Sequence, residues 1–326
     1  MKVTVLGAGA WGTALSRLLQ NAGHAVTLWA HDPARLDHIR ARGCNEHYLP
    51  GIPLPSQLRF EKDIGRAISG AECVVVAVPS KAFRQIANQF TSYDRLIVSV
   101  TKGIEYDTGL TMCGILAQIV PQAKRAALSG PTFAIEVARE VPTAIVTAGS
   151  ELAVAADVQN LFSTPALRVY TSTDLLGVEL GGALKNVIAI AAGIGDGLGF
   201  GDNAKAALVT RAISEIRRLG VACGARADTF TGLSGLGDLM VTCFSRHSRN
   251  RAFGERIGRG EKATKIAASM DSVAEGYPTA RSAHRLAQKH EVATPVIHEV
   301  HAMLYEDKDV RKAVRDLMTR DLKSED

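Results

Sequence analysis

Three glycines near the N-terminus, Gly7, Gly9 and Gly12, have the spacing G-x-G-x-x-G. The apolar residues before them (3–6) are typical of a strand, and the residues after them (13–22) are typical of a helix. In this setting the first glycine permits a tight turn, and the second lets backbone N–H groups approach a pyrophosphate. The third lets helix and strand pack closely. The pattern predicts a dinucleotide site, although a glycine-rich turn that binds nothing has the same spacing.

Lys185 stands out because its surroundings are apolar: between the acidic ends of segment 174–196, the only other charged residue is Glu179. A lysine desolvated in an apolar helix has its charged form disfavoured, which lowers its pKa and suits a general acid or base. The polar Asn186 beside it favours this function over a lysine whose amine extends to the helix edge. Asp238 ends a glycine-rich loop, where it either orients Lys185 or caps the following helix.

Residues 246–251 bring together three arginines, a serine hydroxyl and an asparagine amide. The guanidinium of arginine matches phosphate oxygens with two parallel hydrogen bonds, and hydroxyl and amide groups add neutral donors. We interpret Ser248, Arg249 and Asn250 as binding a phosphate on the substrate. The ordinary alternative is a solvated, basic start of a helix.

Two further loops follow predicted strands, where a doubly wound sheet binds its ligands. Lys102 lies after a strand and before a glycine, a placement that suits a cation facing a ligand, although such lysines are most often solvated. The loop at 129–134 contains Gly130 and Thr132, and its Gly-Pro pair fixes an unusual backbone path. This loop either holds a substrate or only turns the chain.

The elements that must position these residues change character near residue 178. Strands are predicted at 3–6, 25–29, 73–78, 96–100, 126–128, 144–146 and 167–170, with helices such as 13–22, 81–90 and 110–120 between them. After about residue 175 only helices are predicted, at 204–219, 253–257, 279–290 and 295–305 in addition to the helix of Lys185. The sequence thus predicts an α/β fold with a doubly wound (Rossmann) domain at residues 1–178. A mainly α domain at 179–326 ends in a fraying helix.

Composition excludes several classes of protein. The 326 residues are 46% hydrophobic and 22% charged, as expected for a globular protein of two domains. A net charge of +5 suits an anionic small ligand and is too small for nucleic-acid binding. Five scattered cysteines fit a reducing cytoplasm and indicate no metal site. No uncharged apolar run reaches the roughly 20 residues of a membrane span.

Six segments together resemble the bacterial NAD(P)-dependent glycerol-3-phosphate dehydrogenase family. They are GAGAWGTAL from Gly7, LSGPTFA from Leu128, LKNVIAI from Leu184, GLGDL from Gly235, SRNR from Ser248 and VAEG from Val273. They occur in the family's order across nearly the whole chain, which is far more specific than the glycine turn alone.

The resemblance implies an active site between a Rossmann domain and an all-α domain similar to those of 6-phosphogluconate dehydrogenases. The enzyme would reduce dihydroxyacetone phosphate to sn-glycerol 3-phosphate for phospholipid synthesis, without a metal and as a cytoplasmic homodimer. Lys185 would be the catalytic acid/base, assisted by Lys102 and Asp238. The substrate would also touch Gly130, Thr132, Ser248, Arg249 and Asn250. The cofactor would be lined by Gly7, Gly9, Ala10, Trp11, Gly12, His31, Lys102, Ala134, Arg249, Val273 and Glu275.

The choice between NAD and NADP depends on residues after the second predicted strand. Asp32 lies about where an acidic residue binds the ribose 2′-hydroxyl of NAD and repels the 2′-phosphate of NADP. His31 and Arg35 lie beside it and suit that phosphate instead. On balance we expect a preference for NADP(H).

Two other functions fit part of the sequence. A β-hydroxyacid or 6-phosphogluconate-type dehydrogenase shares the domain plan and a lysine on the interdomain helix, but the segments at Gly235 and Ser248 argue against it. A non-catalytic dinucleotide sensor or scaffold would have no need of Lys185, Lys102 and Asp238.

Overall fold

The structure, a computed structural model, describes residues 1–270, 274–322 and 324. Strands form in the first half of the chain, where short apolar runs alternate with helical segments. They are β1 (Lys2–Leu6), β2 (Ala25–Trp29), β3 (Cys44–Asn45), β4 (Leu49–Pro53), β5 (Arg59–Glu61), β6 (Cys73–Val76), β7 (Leu96–Ser99), β8 (Lys124–Ser129), β9 (Thr143–Gly149) and β10 (Leu167–Ser172). The seven predicted strands are all present, most with slightly different bounds.

Eight of these strands form one sheet in the order β10-β9-β8-β7-β6-β1-β2-β5, and the short β3 and β4 pair separately. Neighbours in the large sheet are parallel except β8 and β9, which are antiparallel. Val5, Val75 and Val98, from its centre, are fully buried in one core. The predicted Rossmann fold is confirmed, with a reversal of strand direction at one edge.

Three short strands, β3, β4 and β5, were not predicted. Their sequences lack the alternating or continuous apolar pattern: β4 contains two prolines, and β5 has a charged residue at each end. Prolines and charges are typical of edge strands, which pair on one side only. Tertiary pairing rather than local propensity therefore forms these strands.

Helices fill the gaps between strands and make up the second half of the chain. In the first half they are α1 (Ala10–Asn21), α2 (Pro33–Arg42), α3 (Ile64–Ile68), α4 (Ser80–Ala87), α5 (Met112–Ile119), α6 (Ala134–Ala138) and α7 (Leu152–Phe162). They continue with α8 (Leu175–Gly197), α9 (Asp202–Ala222), α10 (Asp238–Phe244), α11 (Arg249–Gly258), α12 (Ala263–Ser269), α13 (Gly276–Lys289), α14 (Pro295–Tyr305) and α15 (Val310–Met318). The predicted all-α character of this half is confirmed.

The chain divides into two compact units. Unit 1 comprises Met1–Lys102 and Leu110–Glu179, and unit 2 comprises Gly103–Gly109 and Leu180–Asp326. The sequence did not indicate that Gly103–Gly109 belongs to unit 2. Two contacts of Tyr106 explain it. The guanidinium of Arg281 lies 3.7 Å from the ring centroid of Tyr106, and Arg285 Nη1 donates to the Tyr106 carbonyl at 3.2 Å.

Helix α8 carries Lys185 and is the most apolar long helix of the described residues. It is long and apolar enough to cross a membrane by length and composition, but 89% of its most apolar window is buried inside the protein. Burial on this scale is typical of the central helix of a packed core.

Candidate active site

The glycine turn has the local geometry that its sequence predicts. Gly7 has φ +120°, a conformation that L side chains rarely adopt, and its N–H donates to the Trp29 carbonyl at 2.9 Å. A Cβ on Gly12 would overlap the carbonyl oxygen of Gly7, so this glycine permits the close contact between helix α1 and the turn. A Cβ on Gly9 would meet nothing within 4 Å. Gly9 therefore faces open space, where a ligand can approach the backbone.

Helix α1 begins at Ala10, directly after the turn, and no acidic residue lies in its first turn. The N–H groups of Ala10, Trp11 and Gly12 thus come from the start of a helix, which attracts anions through unpaired N–H groups and the helix dipole. This arrangement fits the pyrophosphate of a dinucleotide.

Asn45 supports the glycine turn and was not predicted from the sequence. Its buried amide Nδ2 donates to the Ala8 carbonyl at 2.9 Å and to Thr13 Oγ1 at 2.8 Å. Asn45 therefore connects the middle of the turn to helix α1. A single asparagine in a two-residue strand carries no local pattern that would reveal this role.

After strand β2, three predicted residues have separate roles. Asp32 is the N-cap of helix α2, where its Oδ1 accepts from the N–H groups of Ala34 at 3.0 Å and Arg35 at 3.2 Å. Arg35 donates to the Tyr48 hydroxyl at 2.5 Å and lies over the Tyr48 ring. His31 is exposed. Tyr48 was not predicted to belong to this region.

Lys102, Gly130 and Thr132 come together in unit 1. The carbonyl oxygen of Gly130 accepts from Lys102 Nζ at 3.1 Å and from Thr132 Oγ1 at 3.1 Å. Gly130 has φ +135°, and a Cβ there would approach Ile145 to 3.1 Å. Ala134 begins helix α6, two residues after Thr132. Two loops that are distant in sequence thus bring the Lys102 amine and the Thr132 hydroxyl to the same carbonyl oxygen, where both donate hydrogen bonds.

Lys185 in unit 2 is buried and held by two partners. Its Nζ donates to Asp238 Oδ1 and, at 2.7 Å, to Thr242 Oγ1. The Thr242 hydroxyl donates in turn to the Asp238 carbonyl at 2.6 Å. The exposed fractions are 6% for Lys185, 1% for Asp238 and 4% for Thr242. The carboxylate of Asp238 and the hydroxyl of Thr242 together fix the position and direction of the amine.

Asp238 is placed for this contact by an unusual turn. A π-helical turn over Leu233–Gly237 leads directly into α10, with Gly237 N–H donating to the Gly232 carbonyl at 3.1 Å. Asp238 is the first residue of α10, and Gly237, which has no side chain, occupies the N-cap position before it. Of the two roles that the sequence left open, the carboxylate has the contact with Lys185. Thr242, one helical turn later, was not predicted because a threonine inside a helix carries no special pattern.

Ser248, Arg249 and Asn250 form the start of helix α11. Ser248 is the N-cap, and its Oγ accepts from the Arg251 N–H at 3.2 Å. Arg249 is exposed at the first helical position. Asn250 is buried and connects other parts of unit 2, because its Nδ2 donates to Asn186 Oδ1 at 2.9 Å and its Oδ1 accepts from the Gly276 N–H at 2.9 Å.

The other arginines of this segment are used differently. Arg251 Nη1 lies 2.5 Å from Asp196 Oδ2 and 3.3 Å from Glu255 Oε2, whereas Arg246 is exposed. Asp196 also pairs with Lys205 at 2.6 Å. Of the three arginines, Arg251 is thus committed to structural ion pairs.

The last two predicted cofactor residues are Val273 and Glu275, of which the structure describes only Glu275. Glu275 immediately precedes helix α13, and its carbonyl accepts from Thr279 Oγ1 at 2.6 Å. Val273 lies outside the described residues. Among the residues that are described, no group of three His, Cys, Asp or Glu side chains is arranged to hold a metal ion.

Models of two regions of one enzyme family match most of the chain. The N-terminal region of NAD-dependent glycerol-3-phosphate dehydrogenases matches residues 2–155, and the C-terminal region matches residues 174–315. The chain belongs to the NAD-dependent glycerol-3-phosphate dehydrogenase family. The resemblance noted from the sequence motifs is thereby confirmed, and with it an NAD(P)-dependent oxidoreductase acting on CH–OH groups.

Relatives of this family cover the chain from end to end. Glycerol-3-phosphate dehydrogenase (NAD(P)+) of Syntrophotalea carbinolica is 48% identical over 331 aligned residues, covering 100% of this chain and 99% of that protein. The enzyme of Geobacter sulfurreducens is also 48% identical, with 99% and 98% covered. The crystal structure of glycerol-3-phosphate dehydrogenase from Coxiella burnetii superposes with a TM-score of 0.94 at 37% identity, covering 98% and 99%.

Proposed function

We propose that this family member reduces dihydroxyacetone phosphate to sn-glycerol 3-phosphate with a nicotinamide dinucleotide. The observation that carries the proposal is the buried Lys185, whose amine is directed by Asp238 and Thr242. A buried, oriented ammonium is a proton donor that needs no rearrangement at the moment of reaction.

Lys185 acts on the carbonyl oxygen of the substrate. When the cofactor is bound, its nicotinamide supplies the hydride that reduces the ketone carbon. The oxygen then develops negative charge, which the Lys185 ammonium stabilises and protonates. Asp238 and Thr242 hold Nζ in place throughout, and general acid catalysis of this kind contributes about 10²–10⁴-fold. Lys102 adds positive potential toward substrate and cofactor, a role we infer from the family resemblance.

Arg249 and Ser248 bind the substrate phosphate, and Asn250, which the sequence also assigned to this site, supports them. Arg249, exposed at the first position of α11, supplies the charge, a role that we infer from the family resemblance. Asn250 uses its amide within the protein, so its main contribution is to hold the start of α11 against Asn186 and Gly276. Gly130 and Thr132 line the substrate in unit 1. Binding energy from the phosphate, remote from the carbonyl, orients the reacting carbon.

The cofactor is held by the glycine turn and by the neighbouring residues named above. The open space at Gly9 and the acid-free first turn of α1 fit a pyrophosphate. Gly7, Gly12, Ala10 and Trp11 shape this contact. From the family resemblance alone we infer roles in cofactor binding for His31, Ala134, Arg249, Val273 and Glu275.

NADPH is the preferred cofactor. Asp32 Oδ1 caps α2, and Asp32 Oδ2 lies 3.8 Å from Arg35 Nε, so both oxygens have partners other than a ribose hydroxyl. Arg35, oriented by Tyr48, and the exposed His31 provide donors for a 2′-phosphate. The ratio of kcat/KM for NADPH over NADH tests this preference. A ratio above about tenfold, or 1.4 kcal/mol, is expected, and a preference for NADH would contradict it.

We infer that the enzyme works in the cytoplasm as a homodimer and supplies glycerol phosphate for phospholipids. These inferences depend on the family resemblance and on the scattered, unpaired cysteines.

The direct test follows reduced-cofactor absorbance with dihydroxyacetone phosphate as substrate. Turnover with this substrate, and none with 3-hydroxy acids and oxidised cofactor, is the expected result. Activity with 3-hydroxy acids alone would indicate a β-hydroxyacid-type dehydrogenase. Cofactor binding without any turnover would indicate a sensor or scaffold.

A further inference from the structure

A cavity of about 1030 Å³ opens in unit 1 at the N-terminal ends of strands β1, β2 and β5, on the side of the sheet away from the glycine turn. Its walls include the first residues of β1, β2 and the neighbourhood of β5, among them Lys2, Ala25 and Arg59. These strands are mutually parallel, and the glycine turn follows the other end of β1. The cavity is therefore separate from the dinucleotide site of the same unit.

The cavity concentrates positive charge. Five basic side chains line it, namely Lys2, Arg40, Arg42, Arg59 and Arg66. Its single acidic side chain is Glu61, whose Oε1 accepts from the backbone N–H groups of Lys62 at 2.8 Å and Asp63 at 3.0 Å.

Among the residues that the structure describes, no carboxylate oxygen lies within 4.0 Å of a guanidinium nitrogen of the four arginines, so none of them forms an ion pair. Some other arginines are paired, such as Arg251 with Asp196 and Arg256 with Glu261. Guanidinium groups gathered in a concave site with one carboxylate among five cations repel one another, and a bound anion relieves this repulsion.

Helix ends explain only part of this cluster. Arg40 and Arg42 lie in the last turn of α2, and Arg66 lies in the last turn of α3, where cations are favourable by about 0.3–1 kcal/mol. Arg59 lies on strand β5, where no helix dipole favours it. The convergence of all four on one cavity therefore needs a further reason.

The lining of the cavity combines buried apolar residues with polar ones. Leu58, Ala67 and Ala71 are buried, and Phe60 is half-buried. Ser56, Gln57 and Ser69 add hydroxyl and amide groups. Ligand cavities of roughly 300–1,000 Å³ with apolar floors and a few polar groups are typical of small-molecule sites. A concave site of this size favours a small ligand over a membrane surface.

We propose that this cavity binds a small organic polyphosphate, with the arginines on its phosphates and Phe60 against its organic part. Guanidinium groups bind phosphate with two parallel hydrogen bonds, and several phosphates are needed to engage several arginines. The ligand class is that of nucleoside di- and triphosphates, at a site distinct from that of the nicotinamide cofactor.

Calorimetric titration of the full-length protein with magnesium-free ATP, in the presence of saturating NADPH and about 0.15 M salt, tests the proposal. One saturable site per chain is expected, with inorganic tripolyphosphate binding more weakly. The double variant Arg42→Gln/Arg59→Gln should weaken ATP binding by about tenfold or more, while kcat and KM stay unchanged. The matched control is Arg217→Gln, which removes an exposed arginine on α9 and should leave ATP affinity unchanged.

Four results would overturn the proposal. They are no saturable binding of ATP, displacement of ATP by NADPH, equal weakening by Arg217→Gln, and binding to vesicles of anionic phospholipid without binding to ATP. Equal affinities for ATP and tripolyphosphate would show that the organic part of ATP, and hence its contact with Phe60, does not contribute to binding. Because the arginines are exposed, circular dichroism should show native folding of every variant.

Discussion

The glycine turn of unit 1 and the lysine contact of unit 2 are built by different physical means. In unit 1 the dinucleotide contact is made of backbone, because glycines bring the turn close to helix α1 and leave open space at Gly9. In unit 2 the catalytic contact is made of side chains, because Lys185 is buried and directed by Asp238 and Thr242. A binding site made of backbone atoms tolerates substitutions whose new side chains do not block the ligand. A buried charge pair tolerates almost none, since removing one partner leaves the other charge unpaired.

Among variants that keep Lys185, the largest effect is expected from removing the charge that directs its amine. Asp238→Asn keeps the shape but replaces the carboxylate by a neutral amide, so we expect kcat to fall about 100-fold or more. Cofactor affinity should stay within about twofold, since the turn lies in the other unit. Thr242→Val, which keeps the ion pair, should reduce kcat by only about tenfold. If the two variants were equally active, the ion pair would have no special role.

Removal of the phosphate-binding charge should have the next largest effect and should act on KM. Arg249→Ala removes charge-assisted hydrogen bonds worth about 1.5–3 kcal/mol, which predicts a KM for dihydroxyacetone phosphate raised by roughly 10–100-fold. The exposed neighbour Arg246 provides the control, since Arg246→Ala should leave KM nearly unchanged. A normal KM in Arg249→Ala would remove this residue from the phosphate site.

Two alanine variants in the glycine turn separate stability from binding. In Gly9→Ala the new methyl meets open space, so the unfolding temperature should be unchanged while cofactor affinity falls roughly tenfold. In Gly12→Ala the methyl overlaps the Gly7 carbonyl, so the unfolding temperature should also fall. Thermal unfolding and fluorescence titration with NADPH measure the two effects. A Gly9→Ala protein that binds NADPH normally would contradict the backbone contact.

The smallest expected effect is on how the free energy of unfolding depends on pH. It differs between Glu179 of unit 1 and Glu215 of unit 2, two buried carboxylates. Burial raises the pKa of Glu179 in unit 1 to about 6, and that of Glu215 in unit 2 to about 7. A folded-state pKa above the unfolded value means that the folded protein binds more protons. Stability therefore falls as pH rises through this window, by up to roughly 1.4 kcal/mol per pH unit for one group.

Denaturant unfolding between pH 5 and pH 8 checks this sign. The glutamine in Glu215→Gln does not ionise and should remove most of the loss between about pH 5 and 7, with kcat unchanged. A wild-type protein that gains stability relative to the variant as pH rises would contradict the assignment.

Prediction from the sequence succeeded where the information is local. The glycine spacing, the apolar strands and the helical second half lie within short windows, and all appear in the structure. The polar supports could not be predicted, because each forms between residues distant in the chain. Asn45 reaches Ala8 and Thr13, Tyr48 holds Arg35, and Thr242 completes the Lys185 contact across 57 positions. Lys185 itself was found because a lone lysine in an apolar helix is a local anomaly.

Lys185→Ala is the most direct test of the central claim. That claim is that backbone atoms bind the cofactor, whereas side chains perform catalysis. Steady-state turnover with dihydroxyacetone phosphate and NADPH affinity are measured on the same preparation. We predict that kcat falls by about 10³-fold or more while the Kd for NADPH stays within about twofold of wild type. Turnover within tenfold of the wild type would contradict the account, because Lys185 would not then be the proton donor.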